Sequence, residues 1–241
     1  NVGADTIAAT LAGQRALVLG AYRKEVATLG ELLSQSTSRV GVSDDVLARV
    51  EEYRYLLPKA AAGLRPRHID MPYRNLLSLI GARLQATVDD HVHGYPDAAA
   101  FLADITAIEH SLQTHQGEHA GGFAVRRLRR RIECFGFHLA SLDLRQDSGT
   151  HDAALAELLG DGEWEAHTHD QRAQRLHALL DGSEPAPSMG NGNARPTLEV
   201  FRAVARLRPR YGPRAVGPYI VSMRRRAVVA LAVLALAPIA S

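Results

Sequence analysis

FGFHLASLDLRQDSGTH, residues 135–151, carries the change of period on which the reading of the fold turns. From His138 to Arg145 apolar and polar residues alternate, with Ala140, Leu142 and Leu144 on one side and Ser141, Asp143 and Arg145 on the other. A period of two predicts a strand. Phe135-Gly136 ends a helix before it, Gln146-Asp147-Ser148 makes a polar turn after it, and a new helix follows with His151, Leu155, Leu158 and Leu159. Arg145 therefore falls at the C-terminal end of a strand, close to unsatisfied helix N–H groups, and both attract anions. A guanidinium fork suits phosphate or carboxylate because it makes two parallel hydrogen bonds. In parallel barrels and open α/β sheets, ligands sit at this end of the strands. From spacing alone the favoured reading is a buried Asp143–Arg145 ion pair that only fixes the turn.

Upstream, the periodicity is helical. Leu11, Val18, Tyr22, Val26, Leu29 and Leu33 make one stripe, with Asp5 or Thr6 as its cap. Ser43 precedes a helix bearing Val46, Val50, Tyr53 and Leu57. Asp70 and Pro72 open a third, with Tyr73, Leu77, Ile80, Leu84 and Val88. Asp97 starts a fourth, with Phe101, Ile105, Ile108 and Leu112. Gly121-Gly122 leads into a basic helix whose apolar positions are Val125, Leu128, Ile132 and Phe135. Downstream, residues 181–197 are rich in Gly, Pro, Ser and Asn and read as an exposed loop. A short helix around Val200–Leu207 precedes a second strand at GPYIVSM, residues 217–223.

A length of 241 residues suffices for a buried core. The net charge of +2 is near neutral, and Lys24 and Lys59 are the only lysines, so the basic charge is arginine. Such a balance does not argue for nucleic acid. Five arginines within Arg126–Arg131 have no aromatic platform beside them and read as a solvated or intersubunit face. Cys134 is the single cysteine, which excludes an internal disulfide, fits a reducing compartment, and reads as a small buried residue. His110, His115 and His119 stand at i, i+5 and i+9, a pattern that does not bring three ligands onto one helical face, and with His91 and His93 they read as scattered surface residues. Asn1–Gln14 has no basic start followed by an apolar block, so no signal peptide is expected. The apolar tail Ala227–Ala240 is shorter than the roughly 20 residues of a membrane span and contains Pro238.

The 135–151 stretch, extended as FGFHLASLDLRQDSGTHDAAL, resembles the FGLHL-x-x-LD-I/L-RQ-D/E-S-x-x-H segment of phosphoenolpyruvate carboxylases. MPYRNLL (71–77) resembles that family's E-PYR-x-LL helix start, with Met71 in place of the acid. GPYIVSM resembles its YVISM strand, and NVGADTI (1–7) the stretch after its DRDGNP motif. The motifs stand in family order over most of the chain. The implied fold is mainly α, a helical segment with two strands belonging to the family's parallel α/β barrel. Its parts would be a helical part at 1–136, a barrel strand and active-site turn at 137–151, a helix and loop at 152–197, and a helix, second strand and apolar tail at 198–241.

The resemblance implies a lyase of carbon dioxide fixation. It would form oxaloacetate, an intermediate of the tricarboxylic acid cycle, and phosphate from phosphoenolpyruvate and bicarbonate. Mg²⁺ or Mn²⁺ would be required, in a cytoplasmic homotetramer that engages neither nucleic acid nor membrane. Arg145 matches a family arginine that contacts the phosphate-bearing ligand. Asp143, Gln146, Asp147 and His151 share its motif and are expected to support it rather than act on substrate. The family's catalytic histidine motif (Thr-Ala-His-Pro-Thr), metal carboxylates, lysine and glycine-rich arginine loop have no counterpart here. Catalytic residues and metal ligands are thus expected outside the chain, and the chain alone is expected to be inactive. After Met223 the family pattern Ser-x-x-Asp-Val-Leu-Ala-Val gives way to Arg224-Arg225-Arg226, with Val229 at the Asp position. The tail is therefore expected to be a core helix left without its partners and to promote association. The alternatives are a non-enzymatic helical remnant, or a basic anion- or RNA-binding module.

Overall fold

The computed structural model describes residues 3–185, 192, 194–222 and 228–239. The chain divides into two compact units, Gln14–Leu139 and a second comprising residues through Gly13 together with Ala140 onward.

The first unit is helical. It holds most of α1 (Ala4–Leu32), then α2 (Asp44–Leu56), α3 (Pro58–Ala62), α4 (Pro72–Val88), α5 (Ala98–Thr114) and α6 (Gly122–Phe135). The stripe on α1 is buried as its spacing requires, and the helix starts a residue before Asp5, so Asp5 sits in the first turn rather than at the cap. Pro72 occupies the first turn of α4, where its missing N–H costs no hydrogen bond. Asp97 caps α5 by accepting from Ala100 N at 2.8 Å. Ser43 stands at the start of α2 without a side-chain cap bond; its backbone N–H donates to Ser111 Oγ at 2.9 Å. One core gathers Tyr22, Val26, Leu29, Tyr53, Tyr73, Leu77, Phe101, Ile105, Leu128 and Ile132.

Within that core lies a fully buried carboxylate, Asp104. It accepts hydrogen bonds from Tyr53 Oη and Arg49 Nη1, both at 2.6 Å, and from Tyr95 Oη. Arg83 lies over the Tyr53 and Tyr95 rings, 4.8 and 4.2 Å from their centroids. A buried charge is tolerable only when paired and hydrogen-bonded, and this arrangement supplies both across α2, α4 and α5. Burial and the Asp104 charge together push both tyrosines up from their ordinary pKa, so they remain donors.

Two readings of α6 are corrected. Its buried face is Val125, Leu128 and Ile132, whereas Phe135 is 42% exposed and Cys134 is exposed. Cys134 lies two residues beyond Ile132, which at 3.6 residues per turn puts it on the far side of the helix. The arginine run is largely paired. Arg127 and Arg131 reach Glu25, Arg126 reaches Glu109 and Glu118, and Arg129 reaches Glu109 and Glu133.

The second unit contains β1 (Leu142–Asp147), α7 (Ser148–Leu158), α8 (His169–Leu180), α9 (Arg195–Tyr211), β2 (Val216–Ser222) and α10 (Val228–Ile239). The strands pair in parallel, with Arg145 opposite Ile220 and Asp147 opposite Ser222. The buried side of the pair meets Ile7 and Leu11 of α1 and Val200, Ala203 and Leu207 of α9. Strand β1 starts four residues later than the alternation suggests. Gly136 and Leu139 both adopt positive φ, and Leu139 N donates back to Phe135 O at 2.8 Å, so the chain is still turning off α6 there. Pairing begins at Leu142, whose N–H donates to Ala215 O at 3.0 Å. Helix α9 is longer than Val200–Leu207, because Pro196 at its first turn nucleates it early. This shortens the 181–197 loop, much of which (186–191 and 193) lies outside the described residues.

The apolar tail finds partners within the chain. Ala232, Ala235 and Leu236 of α10 are buried with Leu155, Leu158, Trp164, Leu176 and Leu198, from α7, α8, α9 and the loop between α7 and α8. The expectation of a helix facing a missing core is therefore corrected; residues 223–227, including the three arginines, lie outside the described residues. Leu236→Ala should cost roughly 2–5 kcal/mol, because it empties a fully buried site. Leu234→Ala, at a position 57% exposed, should change stability by less than about 0.5 kcal/mol. Urea unfolding of both variants checks this, and equal midpoints would contradict the packing described.

Candidate active-site strand end

Strand β1 sorts its side chains by its pleat. Leu144 and Gln146 are buried, while Asp143, Arg145 and Asp147 are exposed on the other side. Among the described residues no carboxylate lies within ion-pair distance of Arg145, so the buried Asp143–Arg145 pair does not form. Asp143 instead lies against Gly217 of β2, where an added Cβ would come within 2.5 Å of its Oδ1. Asp147 has a separate task. It is the N-cap of α7, its Oδ1 accepting from Gly149 N at 2.8 Å, and so the helix starts three residues after Arg145. The guanidinium of Arg145 thus stands exposed at a strand end, near in sequence to the positive end of an eleven-residue helix.

Behind it lies a polar knot. His151, 1% exposed, places Nε2 at 2.8 Å from Tyr219 Oη and 3.1 Å from Gln146 Oε1. Tyr219 Oη also donates to Gln146 Oε1. Since that amide oxygen can only accept, we assign the imidazole proton to Nε2, which donates into the pair. Nδ1 is buried without a partner, as an unprotonated nitrogen tolerates better than an N–H would. Burial holds the His151 pKa below its ordinary value, outweighing the charges of Asp152 and Asp147, which act the other way. Burial also pushes Tyr219 up to about 12. The Tyr219 ring stacks on Phe201 of α9, with centroids 5.2 Å apart.

Of the residues singled out from sequence, Gln146 and His151 are brought together, Asp147 caps the helix, and Asp143 and Arg145 share the exposed side without pairing. Tyr219 was missed as a member of this group. Its signal was present in the GPYIVSM motif, but only parallel pairing of the strands brings its hydroxyl to Gln146. Elsewhere, a cleft of about 600 Å³ in the helical unit is edged by Arg23, Arg65, Arg67 and Arg74. Arg74 is committed to structure there, its fork donating to the carbonyls of Gly30 and Glu31 at 2.7 Å each.

An exposed strand-end arginine followed at once by a helix N-terminus in a parallel sheet is an anion-holding arrangement of α/β enzymes. The family model for phosphoenolpyruvate carboxylase matches residues 1–241, and the chain belongs to that family. It is 50% identical over 238 residues to the phosphoenolpyruvate carboxylase of Xanthomonas euvesicatoria pv. vesicatoria, covering 98% of this chain and 26% of that protein. The enzyme of the same name from Xanthomonas oryzae pv. oryzae is 49% identical over the same length, and that from Burkholderia vietnamiensis 33% over 248 residues. The chain spans about a quarter of the length of these relatives.

The lowered pKa of His151 has a pH signature. Between its folded pKa and the ordinary value of 6.5 the unfolded chain binds the extra proton, so stability falls as pH drops from 6.5 through the folded pKa. The melting temperature should decline over that window more steeply for the natural chain than for His151→Gln. Parallel declines would show that His151 is not held neutral by burial.

Proposed function

We propose that this chain supplies an anion-holding part of the active site of a phosphoenolpyruvate carboxylase. The complete enzyme would form oxaloacetate and inorganic phosphate from phosphoenolpyruvate and bicarbonate. The observation that carries this reading is Arg145, exposed at the C-terminal end of β1 and unpaired among the described residues, in a chain of this family. A guanidinium without a carboxylate partner keeps its fork for a ligand. Held there, the phosphate-bearing substrate would offer its phosphorus to a bicarbonate oxygen. The bond from phosphorus to the enol oxygen breaks, releasing carboxyphosphate and the enolate of pyruvate. Carboxyphosphate parts into CO₂ and phosphate, and the enolate carbon takes up the CO₂. Arg145 would offset the negative charge of the phosphoryl group during the transfer. Gln146 and His151 would hold the strand behind it, Asp147 would fix the helix start, and Asp143 would brace the exposed side against β2.

Mg²⁺ or Mn²⁺ would belong to the complete enzyme, where a divalent cation would supply stabilisation of negative charge. Among the described residues no three of His, Cys, Asp and Glu gather to hold a cation, so these residues do not fit the ion. The two strands would lie in the parallel α/β barrel of the complete enzyme. A cytoplasmic homotetramer belongs to the same proposal. Among the described residues no helix is long and apolar enough to cross a membrane. The rival reading of a basic RNA-binding face is weakened by the carboxylates already engaged by Arg126, Arg127, Arg129 and Arg131.

In a complete carboxylase carrying this segment, Arg145→Ala should lower kcat/KM by about one to two powers of ten, as expected for loss of a charge-assisted contact of roughly 1.5–3 kcal/mol. The melting temperature should barely change, since the side chain is exposed and makes no ion pair among the described residues. Near-normal turnover by a destabilised variant would assign Arg145 to the scaffold instead. The 241-residue chain by itself, assayed for oxaloacetate with phosphoenolpyruvate, bicarbonate and Mg²⁺, should show no turnover above a heat-killed control.

A further inference from the structure

We infer that Tyr219 is a positioning residue for Arg145, acting across the sheet through Gln146; the inference rests on the reading of Arg145 as the anion-holding group. Arg145 and Gln146 are consecutive on β1 and emerge on opposite sides of the pleat. The direction of the guanidinium therefore depends on how β1 is rotated about its own axis at this point. That rotation is fixed on the buried side. Gln146 lies opposite Val221, and Tyr219, two residues back on β2, is its diagonal neighbour on the same side. The Tyr219 hydroxyl donates to Gln146 Oε1 and meets His151 Nε2 at 2.8 Å, so β1, β2 and α7 converge on one group of polar atoms. The stack of the Tyr219 ring on Phe201 aims the hydroxyl and draws α9 into the same constraint. One half-buried hydroxyl thus ties β1, β2 and α7 together at the residue that adjoins Arg145.

Tyr219→Phe isolates this tie. The ring and its stack on Phe201 stay, and His151 still reaches Gln146 at 3.1 Å, so the variant should fold. The test uses a complete carboxylase carrying this segment, with Tyr219→Phe, Arg145→Ala and the double variant measured for kcat, for KM of phosphoenolpyruvate and bicarbonate, and for melting temperature. The expected result is a rise of roughly three- to tenfold in the KM for phosphoenolpyruvate with Tyr219→Phe, the scale of one hydrogen bond. The KM for bicarbonate should stay within about twofold, and Tyr219→Phe should add no further rise to Arg145→Ala. A rise that carries over undiminished into the Arg145→Ala background would overturn the inference, because Tyr219 would then act by another route. So would an unchanged KM beside a lowered melting temperature, which would make the tie purely structural. If Arg145→Ala alone leaves kcat and both KM values unchanged, the reading of Arg145 itself fails, and the inference with it.

Discussion

The parallel pairing of Leu142–Asp147 with Val216–Ser222 is the constraint on which the second unit depends. Parallel strands cannot be joined by a tight turn and need a long crossover. Here α7, α8 and α9 supply it, and α7 and α9 pack together on the way back to β2. Register then does the rest. With Leu144 opposite Tyr219, the apolar side faces Ile7, Leu11 and the inner stripe of α9, and Arg145 is turned outward. A slip of one residue would bury Arg145 and expose Leu144, and burying an unpaired guanidinium is far costlier than exposing a leucine.

Alternation at His138–Arg145 was enough to read which side of β1 each residue takes, because a period of two is a local property. Its starting point was not legible. The positive φ at Leu139 is a conformation that leucine rarely adopts, and it is held by a bond back to Phe135 that no pattern announces. The stripes of α1, α4 and α5 were legible for the same local reason, except that Val88, at the last turn of α4, is exposed. The pairing of the α6 arginines was hidden, since Glu25 and Glu109 lie far away in sequence. Tyr219 was hidden likewise, and so were the partners of α10, whose uniform apolarity says that it is buried but not against what.

The two units meet their buried polar groups in different ways. In the helical unit Asp104 is surrounded by two tyrosine hydroxyls and an arginine, with Arg83 over the rings as a second cation. Charge there is neutralised in place. At the end of β1 the knot is made of Gln146, Tyr219 and a His151 whose pKa burial lowers, and the charged side chains Asp143, Arg145 and Asp147 stand exposed on the opposite side of the pleat.

The arginine mesh on α6 has a bearing on how this surface can change by mutation. Glu109 receives both Arg126 and Arg129, Glu25 receives both Arg127 and Arg131, and Arg126 and Arg129 each reach a second acid as well. A planar fork can address two carboxylates at once, which a single ammonium does less well. The near absence of lysine in this chain thus has a local meaning: a lysine at Arg129 would keep the charge yet weaken a junction joining α5 to two turns of α6. Drift between the two basic residues, neutral on most protein surfaces, would here loosen a lattice.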